Sequence, residues 1–277
     1  MDSEPSGAGG HDAGIATYAF DVGAIHCIAI HDGDTTYEAT QYVVNAPLAD
    51  VEVALKAHGV QPDNIPSPYS GLVVETAGRR LLIDTGAGDL TPEVGHLHAN
   101  LRAAGIDRDF IETIVVTHGH PDHVNGNPRA VELTRAAVAG HPGLPTPPDT
   151  PLAEGRELAA GSLRLRVLHV PGHSADHIVL YEPTFRLVFT GDLLFVGKVG
   201  GTRGEDDARV EWESLQRLLA AVPDEATVWP GHDYGARPSS TIALEKQTNP
   251  FLLCSDVGAF LDLKANWATF KRQRGLL

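Results

Sequence analysis

Four times along the chain, an apolar strand-like run ends in a glycine-containing turn that carries histidine or aspartate. Ile114–Thr117 leads into His118-Gly119-His120-Pro121-Asp122-His123, and Ser162–Val170 into Pro171-Gly172-His173. Arg186–Thr190 leads into Gly191-Asp192, and Thr227–Trp229 into Pro230-Gly231-His232. Strand ends are rigid and the loops leaving them are exposed, so several such ends along one edge can converge their side chains on a single point. The pattern therefore asks for strands laid side by side with these four ends together.

The residue types name the chemistry. Histidine supplies a neutral nitrogen and aspartate an anionic oxygen, both good ligands for a divalent cation at about 2.0–2.2 Å. His118 and His120, one residue apart on extended backbone, can reach one metal, while Asp122 and His123 turn toward a second centre. A lone histidine after Pro-Gly is more often a turn residue. Two such turns, at His173 and His232, in a chain that already holds an HxHxDH run make a shared site the better reading. Asp192 reads as a bridging carboxylate and Asp122 as the catalytic one. The remaining histidines (His11, His26, His31, His58, His96, His98, His141, His169) have no ligand spacing, and His177 is expected to pack beneath the site.

The rest of the chain reads as mixed α and β. Ala16–Phe20 and Ala24–His31 are strand-like, with a turn expected at Asp32-Gly33-Asp34 and a short helix at Asp50–His58. Gly71–Thr76 and Arg79–Asp84 form a hairpin around Ala77-Gly78, and Leu97–Ala104 is an amphipathic helix stopped by Gly105. Ile178–Tyr181 is a further strand. Val210–Ala221, Ser240–Gln247 and Asp256–Lys271 read as helices. A Pro-rich loop, Gly140–Pro151, divides the chain roughly in half. Strands and helices in both halves suggest two sheets sandwiched between helices, in one domain over 15–277 preceded by a polar, Gly-rich flexible tail over 1–14.

Composition removes other classes. The balance of 21 Lys+Arg against 36 Asp+Glu gives a formal charge of −15, a surface that repels nucleic acid. Cys27 and Cys254 form no CxxC or CxxH pattern, which excludes cysteine-rich zinc folds and suits a reduced cytoplasmic pair. The first residues lack the basic and apolar regions of a signal peptide, and no apolar run approaches the ~18–20 residues of a membrane span. A soluble, cytoplasmic protein acting on a small molecule is expected; oligomeric state is left open.

The segments THGHPDH (117–123), PGHSADH (171–177), FTGD (189–192), PGHDY (230–234) and EKQTNPFL (245–252) resemble the metallo-β-lactamase superfamily, especially its branch of glyoxalase II-like thioester hydrolases and persulfide dioxygenases. The likeness covers roughly residues 68–253. It implies the αββα four-layer sandwich, one metal at His118, His120 and His173, a second at Asp122, His123 and His232, and Asp192 bridging them. It also implies a substrate-facing Tyr234 and an Asp84 behind a metal-bound imidazole, where a carboxylate fixes the tautomer and raises basicity. Lys198 is a candidate partner for an anionic substrate group. Asp192 stands where the cysteine-ligand β-lactamases have cysteine. Gly200-Gly201-Thr202-Arg203 lacks the Gly-Arg-Thr-Asp order of the dioxygenases, and the segment between Asp21 and Pro68 is long, as in lactonase-like members.

These features imply a hydrolase with two divalent ions, zinc first and iron or manganese as alternatives. A metal-bridging hydroxide would attack a thioester, or a lactone or ester, carbonyl. The site charge sums to about +1, from two +2 ions less Asp122, Asp192 and hydroxide, and this suits an anionic substrate. A mononuclear iron persulfide dioxygenase using His118, His173 and Asp192 is the alternative.

Overall fold

The computed structural model describes residues 17–42, 47–57, 59–106, 111–234 and 236–274. The expected tail at 1–14, together with His11 and His58, lies outside them. Among the described residues the first sheet has seven strands in sequence order: β1 (Thr17–Val22), β2 (Ile25–Tyr37), β3 (Ile65–Thr76), β4 (Arg79–Ile83), β5 (Ile111–Val115), β6 (Ala137–Gly140) and β7 (Thr150–Pro151). Pairing is antiparallel from β1 to β4 and parallel from β4 to β7.

The second sheet contains β8 (Glu157–Ala160), β9 (Leu163–His169), β10 (Ile178–Glu182), β11 (Leu187–Gly191), β14 (Thr227–Pro230) and β15 (Ser240–Thr241). A small ribbon, β12 (Leu194–Phe195) with β13 (Lys198–Val199), follows β11. The helices are α1 (Ala39–Tyr42), α2 (Leu48–Ala57), α3 (Leu97–Ala103), α4 (Pro121–Val124), α5 (Asn127–Thr134), α6 (Glu205–Ala221), α7 (Ile242–Thr248), α8 (Val257–Ala265) and α9 (Trp267–Gln273).

The two-residue period of a strand explains the layering. In β4, Leu81 and Ile83 face the second sheet while Leu82 packs outward with Leu97 and Leu101 of α3. In β10 and β11, Ile178, Leu180, Leu187 and Phe189 join that central core, whereas Val179 and Val188 face Leu215 and Leu218 of α6. Both faces of β10 and β11 are covered, so these strands read as continuous apolar runs rather than alternating ones. The result is the expected αββα sandwich.

Local expectations differ in four places. The turn at Asp32-Gly33-Asp34 does not form: β2 runs through it, absorbing the extra residue as a register shift between His31 and Gly33. Gly33 sits at φ +140°, and a Cβ there would lie 2.3 Å from the Glu93 carbonyl oxygen. Asp32 turns inward, accepting hydrogen bonds from Ala87 N (2.8 Å) and Leu97 N (2.9 Å), so it serves the open amide end of α3. The expected helix at Asp256–Lys271 divides at Asn266 into α8 and α9. The segment Ser240–Gln247 begins as strand, and Thr241 caps α7. Helices α4 and α5 were not expected; each has proline at its start, where the missing N–H costs nothing.

Candidate active site

The donor-bearing ends do meet at one edge. Strands β11 and β14 are parallel and deliver Asp192 and His232 side by side, with Gly231 N donating to Gly191 O at 2.8 Å. Strand β9, antiparallel to β10, ends on the same side and leads through Pro171-Gly172 to His173. From the first sheet, β5 leads into Thr117–His120, and the single turn of α4 then presents Asp122 and His123. Ile178 N donates to Thr117 O (2.9 Å), tying the two sheets together here.

Three overlapping sets of donor atoms lie within 4.8 Å of one another: His118, His120 and His173; His118, His123 and Asp192; and Asp122, His123 and His232. His118 Nε2 is 2.9 Å from His120 Nδ1, and His123 Nε2 is 3.2 Å from His232 Nε2. Asp192 stands between, its Oδ2 at 3.5 Å from both His173 Nε2 and His232 Nε2 and its Oδ1 at 3.5 Å from His123 Nε2. Asp122 Oδ2 lies 3.3 Å from His232 Nε2. Every donor singled out in the sequence is part of this cluster.

The donor set fits divalent cations. His173 Nε2 and Asp192 Oδ1 are buried without a hydrogen-bond partner, an arrangement that costs free energy unless something else takes those lone pairs. Burial holds the His118, His120 and His173 imidazoles below their ordinary pKa, hence neutral, the form that binds metal. Burial opposes charge on Asp122 and Asp192, but the neighbouring His232 and His123 outweigh it and keep both below the usual carboxylate range. His123 is the exception among the imidazoles. Burial would lower it, yet Asp84, Asp192 and Asp122 together raise it to about 10.

The supporting residues are equally defined. Asp84 Oδ2 accepts from His123 Nδ1 (2.8 Å) and from the Thr117 hydroxyl (2.8 Å), and Oδ1 accepts from Thr117 N (2.8 Å). His177 is fully buried and its Nε2 accepts from Asp192 N at 2.9 Å. His173 Nδ1 donates to Gly201 O at 2.7 Å, which turns Nε2 into the cluster. The remaining described histidines stay outside it: His26 pairs with Asp21, His31 with Asp34, and His141 stacks on His169.

Tyr234 stacks on His232 with centroids 5.0 Å apart, and Lys198 Nζ lies 4.1 Å from the Tyr234 ring centroid and 5.1 Å from that of Phe195. Burial, reinforced by Lys271, lowers the Lys198 pKa to about 8 against the opposing pull of Asp192. Both residues line a cavity of about 530 Å³ together with Arg237, Trp267 and Lys271. Among the described residues, Lys198, Arg237 and Lys271 make no ion pair, and against the one lining carboxylate, Glu245, they leave the cavity with an excess of basic groups on an acidic protein. Sequence reading missed Phe195, Arg237, Trp267 and Lys271. The one available signal was Trp267 and Lys271 four apart on a helix, which puts the ammonium 5.7 Å from the indole.

The sequence profile described as the Metallo-beta-lactamase superfamily matches residues 65–232. A hydroxyacylglutathione hydrolase of Cereibacter sphaeroides (strain ATCC 17023) is 35% identical over 181 residues, covering 62% of this chain and 69% of that protein. The crystal structure of ETHE1 from Myxococcus xanthus superposes with a TM-score of 0.62 at 29% identity, over 72% of this chain and 86% of that one. TTHA1623, solved in a di-iron-bound form, gives 0.52 at 34% identity over 66% and 94%. With its fold, its clustered donors and these relatives, the chain belongs to the metallo-β-lactamase superfamily, within the glyoxalase II-like and persulfide dioxygenase-like branch, as one of its hydrolases.

Proposed function

We propose that this protein is a dinuclear metal-dependent hydrolase that cleaves the thioester, or a lactone or ester, of a small anionic substrate. The observation that carries the reading is the completeness of both donor triads, His118/His120/His173 and Asp122/His123/His232, with Asp192 between them. When bound, two divalent cations supply Lewis acidity and bring the pKa of a water they hold from about 15.7 down to about 7. Zinc is the first assignment, since all seven donors are imidazole or carboxylate; the di-iron form of TTHA1623 keeps iron as the alternative.

The chain's own residues do the positioning. Asp84 holds His123 with Nδ1–H toward itself, which keeps Nε2 turned to Asp192 and His232, where a cation would take the place of its proton. His177 fixes the Asp192 backbone and Gly201 fixes the His173 ring. Lys198 and Tyr234, beside His232, would receive the anionic part of the substrate. Asp122, the most exposed carboxylate of the cluster at 24%, is the one best placed to face a reacting group, and it takes the catalytic role. Among the described residues, with Lys198 assigned to the anionic part of the substrate, no dedicated acid is left to protonate a leaving amine. A thiolate, whose conjugate thiol has a pKa of about 8.5, leaves without one. This favours thioesters and activated esters over amides.

The name of the Cereibacter sphaeroides relative supports a thioester substrate. The likeness to ETHE1 supports the rival, a mononuclear iron persulfide dioxygenase built on His118, His173 and Asp192. A cytoplasmic location accords with two free cysteines. Metal analysis of protein purified without added metal, combined with rates on thioester, lactone, ester and amide substrates, tests the reading. Two ions per chain with thioester or lactone turnover is expected. Faster amide cleavage would refute it, and one iron with oxygen uptake on a persulfide would establish the rival.

A further inference from the structure

The segment 196–201, which includes β13, carries the carbonyl that orients His173, and it is held by helices that take no part in the donor cluster. From one side, Glu245 of α7 accepts from Gly197 N (2.9 Å), while Asn249 donates to Lys198 O (3.1 Å) and to Glu245 (2.9 Å). From the other side, Lys264 of α8 donates to Gly200 O (2.9 Å) and pairs with Glu211 of α6. Glu211 is fully buried and the Lys264 side chain is 12% exposed.

The same stretch of α6 supports His173 from beneath. Ser214 donates its hydroxyl to Pro171 O at 2.7 Å. Gly172, at φ +137°, rests on the α6 backbone so closely that a Cβ there would lie 2.4 Å from Glu211 Cα. A Cβ on Gly200 would lie 2.1 Å from Asp192 O and 3.0 Å from His173 Nδ1. The turn bearing His173, the loop bearing its acceptor and the backbone of Asp192 are thus pressed together with no slack, and Lys264–Glu211 closes the stack.

A buried ion pair is a poor device for stability. Its desolvation offsets most of its attraction, and apolar residues of similar volume often fold as well or better. One at this place calls for a geometric role. We propose that Lys264 and Glu211 are positioning residues for the metal centre: by fixing Gly200 they hold the Gly201 carbonyl against His173 Nδ1, and so aim His173 Nε2 at the ion shared with His118 and His120. This inference rests on the dinuclear reading above.

The test is zinc affinity, measured on the whole protein by competition with a chromophoric chelator. In the double variant K264M/E211M, which removes both charges and fills their volume, one ion is expected to weaken about tenfold, the lower end of what loss of an outer partner costs. The ion at Asp122, His123 and His232 keeps its affinity, and saturating zinc restores turnover with an unchanged KM. Unchanged affinity for both ions overturns the proposal, as does equal weakening of both, which would mean general loosening. A raised KM at saturating zinc also overturns it, because the pair would then be serving Lys198 and the substrate. Should the double variant fail to fold, K264M/E211Q, which leaves no buried charge unpaired and still removes the donor to Gly200 O, carries the same test with the same outcomes. A wild-type protein that takes up no metal defeats the dinuclear reading instead, so the two failures are distinct.

Discussion

Replacing Asp84 with asparagine isolates one charge in the support of the metal centre. Asp84 is 5% exposed and sits at φ +56°, a conformation asparagine also tolerates, so the backbone should survive. Its carboxylate accepts three hydrogen bonds, each at 2.8 Å, from Thr117 N, the Thr117 hydroxyl and His123 Nδ1. An amide can keep its oxygen toward Thr117 N, which places its NH2 where Oδ2 was. The threonine hydroxyl can rotate to accept. His123 Nδ1 can accept only by giving up its proton, and the neutral ring then carries its hydrogen on Nε2, the atom that faces Asp192 and His232. In the wild type a cation replaces the Nε2 proton of a charged ring and leaves Nδ1–H on Asp84, whereas in D84N the remaining hydrogen must move to Nδ1, against the amide NH2, before Nε2 can bind.

Outer-partner losses of this kind cost about 10–100-fold in metal affinity, or about 1.4–2.7 kcal/mol. The loss should fall on the ion held with Asp122 and His232. In the metal-free protein the effect is larger. There, His123 is charged against the tendency of burial because Asp84 leads the carboxylates that raise its pKa to about 10. Breaking a buried pair costs about 3–5 kcal/mol, and at about 2–4 °C per kcal/mol for a chain near this size that lowers the metal-free Tm by roughly 10 °C. Chelator competition and thermal melts of D84N measure both quantities. D84A should lose about a further 1 kcal/mol, because alanine resists positive φ. If D84N binds both ions as tightly as the wild type and melts at the same temperature without metal, the reasoning about the imidazole tautomer is wrong.

Three other outcomes are expected. For an anionic substrate, KM should rise with pH through about 8, where the depressed Lys198 pKa sheds its charge; in K198M it should be about tenfold higher and flat over that range, read from initial rates. G172A should lose about 3 kcal/mol in urea denaturation, since its Cβ meets the Glu211 backbone at a positive φ. Chelation should destabilise the protein by about 4 kcal/mol per site if free metal had stood at about 1,000 times Kd, a drop in Tm visible by calorimetry.

The donor cluster was legible because each donor follows its strand end within a few residues, so local order carried the information. The layered sheets were legible for the same reason, through unbroken apolar runs such as Ile178–Tyr181. What escaped was set by distant contacts. Asp32-Gly33-Asp34 has the composition of a turn, yet Asp32 finds its partners at Ala87 and Leu97, and that long-range pairing keeps β2 extended. Pro121 and Pro128 look like breakers but occupy the first turns of α4 and α5. Lys264 and Glu211 stand 53 positions apart on two helices, and nothing near either residue hints that they meet.

The division of donors between the sheets would tie the proposed metal binding to the fold itself. The loop after β5 in the first sheet supplies His118, His120, Asp122 and His123, while strand ends of the second supply His173, Asp192 and His232. The first triad takes two donors from one sheet and one from the other, and so does the second. Neither sheet supplies a full triad alone, so a cation bound at either would act as a cross-link at the edge where Thr117 O and Ile178 N already join the layers. Away from this edge the sandwich is held by its apolar core, which needs no metal. Removing the ions should therefore open the edge without unmaking the fold: amides of Ile178 and Gly231 should lose hydrogen-exchange protection on chelation while Leu165 and Leu180 at the centre keep theirs. Uniform loss of protection through both sheets would mean that the ions hold the whole sandwich together, and the separation drawn here between core and edge would be lost.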